Sequence, residues 1–390
     1  MVAAYASGVG VTWNIANVGP VADAVAGHYG IALATVGLFT AVLFAAEIVS
    51  MPVIGRLTVR FGAKSVGLLA LGLCIVGNLL TLVGGGITIA LILRFVVGLG
   101  VGLGFVGGTT YVQQMGGGSL AQGLFGGMSL AAGGIAVAVV PLYEDVLGWQ
   151  APFITGAIVG AVALLGILVG PSTRSTTGEQ EHGFVRLLGD RNLLRFGAVH
   201  AASFGLAIVL SNWVVTLLTR RAGHDLETAG LIGSLILFVG VVARPGGGLY
   251  THMRPAHTRT VVQLSLVLGG IGTAVLGMAP PTGVATLGAV LVGVAAGIPF
   301  GPCVAGLGRT FPRAPGTAFG AMNFYVQVMI MLGTPLMGLT FSLPGDGLLG
   351  FVAAAAFWLF AAVVTPGSEL LLGAEAASQR ISCPDSRATS

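Results

Sequence analysis

Charge is scarce in this chain, with 17 Lys and Arg and 13 Asp and Glu among 390 residues, 8% in all. A soluble domain carries roughly a quarter charged residues, so a water-facing globular protein is excluded at the outset. Cysteine is rarer still. Cys74, Cys303 and Cys383 share no paired spacing, which excludes a disulfide framework and the usual zinc or redox motifs. The six His do not cluster, so no metal site is expected. No glycine-rich phosphate loop follows a strand pattern, so neither ATP coupling nor any other cofactor is expected. The net charge of +4 could indicate a basic partner surface, but the positive residues sit at the breaks between apolar runs, and no nucleic-acid partner is expected. Met1 runs straight into an apolar stretch without a basic leader, so no cleavable signal peptide is expected either.

What is present is apolar and small. The chain is 55% hydrophobic with 65 glycines, and its mean hydropathy is +0.96. About 20 apolar residues cross a bilayer as a helix. Runs of that kind predict spans at 3–26, 31–54, 65–85, 87–113, 119–143 and 150–170, then at 193–218, 227–250, 259–279, 283–307, 316–341 and 346–366. The reading is therefore an all-α membrane protein of twelve transmembrane helices. Glycine at this density suits helices that pack backbone to backbone in lipid.

Positive residues orient such a protein, because they stay on the cytoplasmic side. Fourteen of the 17 fall at the face holding both termini, from Arg56, Arg60 and Lys64 through Arg244 and Arg254 to Arg380 and Arg387. Only Arg220 and Arg221 fall at the other face, and Arg94 lies inside a span. Both termini are expected in the cytoplasm, on an inner (plasma) membrane. Residues 171–192 read as a solvated cytoplasmic linker between an N-terminal bundle, 1–170, and a C-terminal bundle, 193–366; residues 367–390 read as a disordered cytoplasmic tail.

The two bundles echo each other. Phe125-Gly126-Gly127-Met128 precedes Pro141-Leu142, and Phe319-Gly320-Ala321-Met322 precedes Pro335-Leu336, both at an offset of 194 residues. Gly55-Arg56-Leu57 and Gly247-Gly248-Leu249 lie 192 apart. A duplicated unit of six spans keeps its orientation, so the halves are parallel and pseudo-symmetric about an axis along the membrane normal, with a cavity between them.

With that layout on the page, Gly55-Arg56-Leu57-Thr58-Val59-Arg60-Phe61-Gly62-Ala63-Lys64, in the loop expected after span two, resembles the gate-loop motif G-x-L-A-D-R-x-G-R-K of the major facilitator superfamily, itself the standard example of such paired halves. Gly55, Leu57, Arg60, Gly62 and Lys64 fit it, and Val59 stands in place of the acid. Arg94 with Gly98 resembles the family's span-four motif, which the resemblance associates with proton coupling. Gly126, Gly127, Gly133 and Gly134 are similar to the span-five antiporter pattern, and Gly148-Trp149-Gln150-Ala151-Pro152-Phe153 to the G-W-R-x-x-F start of span six. The resemblance implies a secondary transporter working by alternating access on a small-molecule substrate, in the lipid bilayer and as a monomer, not an enzyme. The second half also resembles nitrate/nitrite porters and cyanate permeases, whereas spans five and six resemble sugar-efflux and drug-efflux permeases. Nitrate porters hold their anion with one Arg in span two and one in span eight; here span two offers only Glu47, and Arg244 is expected near the cytoplasmic end of span eight, so nitrate does not carry over. Import of small anions and export of metabolites or drugs stay open as alternatives. A membrane-embedded enzyme or receptor is the rival outside the class, and it would need a catalytic or metal-binding cluster that the sequence does not offer.

Candidate site residues follow from depth and chemistry. An ionisable group inside a span marks a pathway by default, so Arg94 and Glu47 are candidates for coupling. Asn14, Asn17 and Asn212 are candidates for the substrate cavity, since the family lines its cavity with spans one, four, seven and ten. Their bland alternative is interhelical hydrogen bonding, just as Arg94 can be a structural tie through carbonyls. Asp23 reads as interfacial and His200 as structural.

Overall fold

The computed structural model describes residues 1–116, 119–172, 184–312 and 315–372, and among these every regular element is helical. Lipid offers the backbone no hydrogen bonds, so apolar runs of this length satisfy themselves as helices. Span two is Leu33–Phe61, three Ala63–Leu82, four Gly86–Gln114, five Ser119–Val139 and six Ala151–Leu168. Span eight is Leu226–Met253, nine Thr258–Gly277, eleven Pro315–Thr340 and twelve Leu348–Val364. Spans one, seven and ten are interrupted. Span one runs Val2–Thr12, passes through short 3-10 turns at Trp13–Ile15 and Gly19–Val21, and resumes as Ala22–Tyr29. Span seven is Arg191–His200 and Leu206–Ala222 with a π-turn, Ala201–Gly205, between them. Span ten is Thr282–Gly297 and Phe300–Thr310. Twelve spans thus stand among the described residues, in the expected order.

Three boundaries differ from the sequence reading. The stretch expected as a loop from Gly55 is helical through Phe61, because one helical glycine costs only about 1 kcal/mol and continued backbone pairing outweighs it. The turn collapses onto Gly62, whose φ of 84° is open to glycine and strained for other residues. The linker is shorter than 171–192 at its far end: Phe184–Leu188 is a short helix, and span seven already starts at Arg191. The Asp190 carboxylate caps it by accepting from the Asn192 and Leu193 amides at 2.8 and 3.0 Å. The tail is not all solvated, because Ser368–Leu372 forms a helix tied down where Arg309 Nη1 donates to the Leu371 carbonyl at 2.6 Å. Residues 173–183 and 373–390 lie outside the described residues.

The halves meet along two seams, span two against span eleven and span five against span eight. These seams exchange under the pseudo-twofold implied by the sequence repeat. A Cβ on Gly37, at the start of span two, would lie 2.6 Å from Pro335 Cα; one on Gly230, at the start of span eight, would lie 2.9 Å from Pro141 Cγ. Gly37 and Gly230 are 193 residues apart, and the two prolines 194. Each seam therefore closes by the same device, a bare glycine backbone seated on a proline of the opposite half, Pro335 inside span eleven and Pro141 in the 3-10 turn after span five. Both lie at the end expected to face outward.

Candidate functional site

The break in span one exposes main-chain groups at membrane depth, and a buried polar network takes them up. Ala16 leaves the helical region, with φ −135° and ψ 13°, so the carbonyls before it lose their usual partners. Arg94, only 1% exposed, supplies donors: Nη2 to the Asn14 carbonyl, Nη2 to Asn17 Oδ1 at 2.9 Å, and Nε to the Phe39 carbonyl of span two at 3.3 Å. Its Nη1 has no partner. Asn17 Nδ2 donates to the Pro152 carbonyl at 2.7 Å, and Asn78 Nδ2 donates to Asn14 Oδ1 at 2.8 Å. Trp13 Nε1 reaches Thr155 Oγ1 at 3.3 Å. Spans one, two, three, four and six are thereby tied together at one level.

Asn212 brings the second half to the same level. It is buried, with Nδ2 donating to the Ile208 carbonyl at 2.8 Å and to the Ile15 carbonyl at 3.5 Å, and Oδ1 accepting from Thr40 Oγ1 at 3.5 Å. Gly19 lies directly against the Asn212 backbone. The structure thus gathers Asn14, Asn17, Asn212 and Arg94 at one level, but with their amide donors engaged by the protein itself. Nearer the end expected to face outward, Arg220 binds Asp23 through Nε and Nη2 and stands 3.6 Å from Asp346, linking span one, span seven and the turn before span twelve. Asp23 is interfacial as expected, and its partner belongs to the other half.

Glu47 sits elsewhere. It is 14 residues from Phe61, about 21 Å at helical rise, not the seven residues expected from a shorter span two. It is 8% exposed on the seam with span eleven, where the Gln327 side chain is its polar neighbour and Gln327 Oε1 is left unpaired. Gly98 packs on Leu43 and Ala46, and Gly102 packs on Ser50 and Glu47, so Glu47 lies two helical turns of span four below Arg94. The two do not pair. Of the gate-loop residues, Leu57 is half-buried, and Arg60 is exposed with its guanidinium 5.1 Å from the Phe61 ring. Lys64 Nζ donates to the Leu168 and Gly170 carbonyls at 2.8 and 2.5 Å, where it caps the end of span six within its own half. The side chains of Gly55 and Val59 lie outside the described residues.

Sequence reasoning missed Thr40, Asn78 and Thr155, isolated polar residues in apolar runs, the commonest signature of interhelical bonding. It also misplaced Arg244. Span eight continues to Met253, so Arg244 is nine residues inside it, about 13 Å from the end, deeper than the face expected to hold the termini. Pro245 beside it was the available clue. Among the described residues no group of His, Cys, Asp or Glu could hold a metal ion.

Broken helices around a buried polar level, between two six-span halves, define a secondary active transporter. Residues 4–334 match the Major Facilitator Superfamily model, and the chain belongs to that family. It is 27% identical over 297 residues to a probable sulfoacetate transporter, SauU, of Cupriavidus necator, covering 68% of each chain. It is 24% identical over 383 residues to the 4-hydroxybenzoate transporter PcaK of Pseudomonas putida, covering 83% of this chain and 80% of that one. A point mutant of the nucleoside transporter NupG superposes with a TM-score of 0.74 at 12% identity over 93% of this chain and 98% of that one, which shows the shared fold.

Proposed function

We propose that this chain is a proton-coupled transporter of a small organic anion, monomeric in the plasma (inner) membrane with both termini cytoplasmic. Two relatives named for sulfoacetate and 4-hydroxybenzoate, both anions at neutral pH, support the substrate class. The observation that carries the coupling is Glu47, a buried carboxylate on a seam between the halves with Gln327 as its polar neighbour and, among the described residues, no cation beside it. A protonated Glu47 donates to Gln327 Oε1, the atom now unpaired; a charged Glu47 accepts from the amide nitrogen instead. Losing the proton places a bare charge in the closed seam, which favours parting of the halves at that depth.

Arg94 contributes to coupling at a distance from Glu47, by holding the broken segment of span one that bridges to Asn212. The cavity role of Asn14, Asn17 and Asn212 belongs to the outward-open state. There the Asn212 bonds to Ile15 and Thr40 part, and those polar atoms become free for substrate. Lys64, Arg60, Leu57, Gly55 and Gly62 serve the joint between spans two and three, where Lys64 fixes the first half as a rigid body.

Transport in proteoliposomes tests this reading. Glu47→Gln is expected to keep exchange of 4-hydroxybenzoate down its gradient and to lose accumulation driven by an imposed pH gradient, and Arg94→Ala to lose accumulation as well. Wild-type accumulation by Glu47→Gln would place the proton path elsewhere, and by Arg94→Ala would leave Arg94 a structural tie.

A further inference from the structure

Spans two and three are joined by the single residue Gly62, yet each packs chiefly on span four and they touch one another little. A furrow is left between them beside the turn. Leu57 and Phe61, one helical turn apart on span two, form one wall, and Ser65, Val66 and Leu69 of span three form the other, around about 230 Å³ of open space. Val66 rests against span four, where a Cβ on Gly107 would lie 3.1 Å from its Cγ1, so span four backs the furrow. Phe61 and Leu69 are half-exposed, and the lining is apolar except for Ser65. The furrow therefore opens sideways into the surrounding lipid, at the end of the bundle that holds Met1.

The charge at its mouth is of one sign. No Asp or Glu stands between Glu47 and Glu144, and Glu47 is 14 residues up span two from Phe61. Lys64 gives its donors to the Leu168 and Gly170 carbonyls, which leaves Arg60 as the cation without a partner. Its guanidinium lies 5.1 Å from the centroid of the Phe61 ring, so one side chain both walls the furrow and carries the cation. Among the described residues Arg60 makes no hydrogen bond or ion pair. An apolar slot open to lipid and an uncommitted guanidinium at its polar end match the two parts of a phospholipid, its chain and its phosphate.

We propose that this furrow binds one anionic phospholipid, with an acyl chain lying between Leu57 and Leu69 and the phosphate oxygens on the N–H edge of Arg60. A guanidinium presents paired donors in a fork that suits phosphate. A zwitterionic phospholipid brings an ammonium group as well, and the furrow has no described carboxylate to receive it, so a headgroup of net negative charge is preferred. The bound lipid bridges spans two and three beside Gly62, at the same joint that Lys64 ties to the end of span six.

The inference is independent of the transported substrate, and photo-crosslinking tests it. The full chain in detergent micelles receives phosphatidylglycerol or phosphatidylcholine, each with a diazirine in one acyl chain, and peptide mass spectrometry locates the adducts after irradiation. In wild type, phosphatidylglycerol is expected to label residues 57–69 about fivefold more than phosphatidylcholine does. Arg60→Gln is expected to bring the two lipids level there, and Arg259→Gln, which removes an exposed cation elsewhere, to match wild type. Ser65→Trp fills the furrow without changing any charge and is expected to remove the labelling by both lipids. An excess of glycerophosphoglycerol, the headgroup without chains, is expected to leave the labelling unchanged; full competition would make the site one for a free anion and overturn the lipid. Melting without added lipid identifies any variant that fails to fold. Should Arg60→Gln unfold, the lipid preference of wild type and its loss in Ser65→Trp decide. Equal labelling by the two lipids in wild type, or a preference for phosphatidylglycerol that survives in folded Arg60→Gln, overturns the proposal and leaves only ordinary boundary lipid.

Discussion

At the scale of single residues, burial separates structural from exchangeable contacts. Arg94 and Asn17 are held in a network with few spare polar atoms, so removing one leaves others unmet; Asn17→Leu is expected to lower stability by roughly 1.5–3 kcal/mol, because it strands a donor of a charged group. Denaturant or thermal unfolding in a defined detergent measures it. The outer ion pair is different. Asp23 and Arg220 side chains are 49% and 38% exposed, and such pairs contribute only about 0.2–1 kcal/mol. Asp23→Asn should therefore shift the balance between facing states by up to about fivefold without unfolding anything, and alkylation of a cysteine placed at Thr40 should speed up accordingly. Unchanged labelling would mean that the pair is not part of the outer closure. Lys64 is the residue whose role its motif disguised. The pattern reads as a gate between halves, whereas the amine binds the last carbonyl of span six and that of Gly170 just beyond it, so Lys64→Gln is expected to cost about 0.3–1 kcal/mol of stability and to leave the facing equilibrium unmoved.

Elements show what a linear reading can and cannot reach. The spans were legible because apolar length is all that lipid demands of a helix, and the repeat was legible because Phe125 and Phe319, Pro141 and Pro335 keep their spacing. The breaks were not. Residues 13–21 contain nothing that forbids a helix except Pro20, and the unwinding depends on partners from Arg94, Asn78 and Pro152, which are distant in sequence. Glu47 was misjudged for a related reason: the polar run after 54 reads as loop, yet the backbone prefers to stay helical to Gly62. The paired glycine-on-proline contacts yield an element-scale prediction. Gly37→Val and Gly230→Val each drive a side chain into the backbone or ring of a proline, at a cost of about 1–3 kcal/mol. Each should hold the outer seams apart and slow exchange, while a valine at Gly27, where a Cβ meets nothing within 4 Å, should do neither. Inter-spin distances between labels on spans two and eleven give the readout, and an unaltered distribution in Gly37→Val would show that this contact does not set closure.

For the whole molecule, the two seams, the Asp23–Arg220 pair and the buried polar level join two six-span halves. Fusion reporters placed within 173–183 or after Arg387 are expected on the cytoplasmic side and one beside Gly223 outside; the reverse would invert every directional statement above. The most direct test of proton coupling is uptake of 4-hydroxybenzoate or sulfoacetate into proteoliposomes under an imposed pH gradient with the membrane potential clamped. The account predicts accumulation above equilibrium that collapses on adding a protonophore and disappears in Glu47→Gln. Accumulation indifferent to the proton gradient would contradict it.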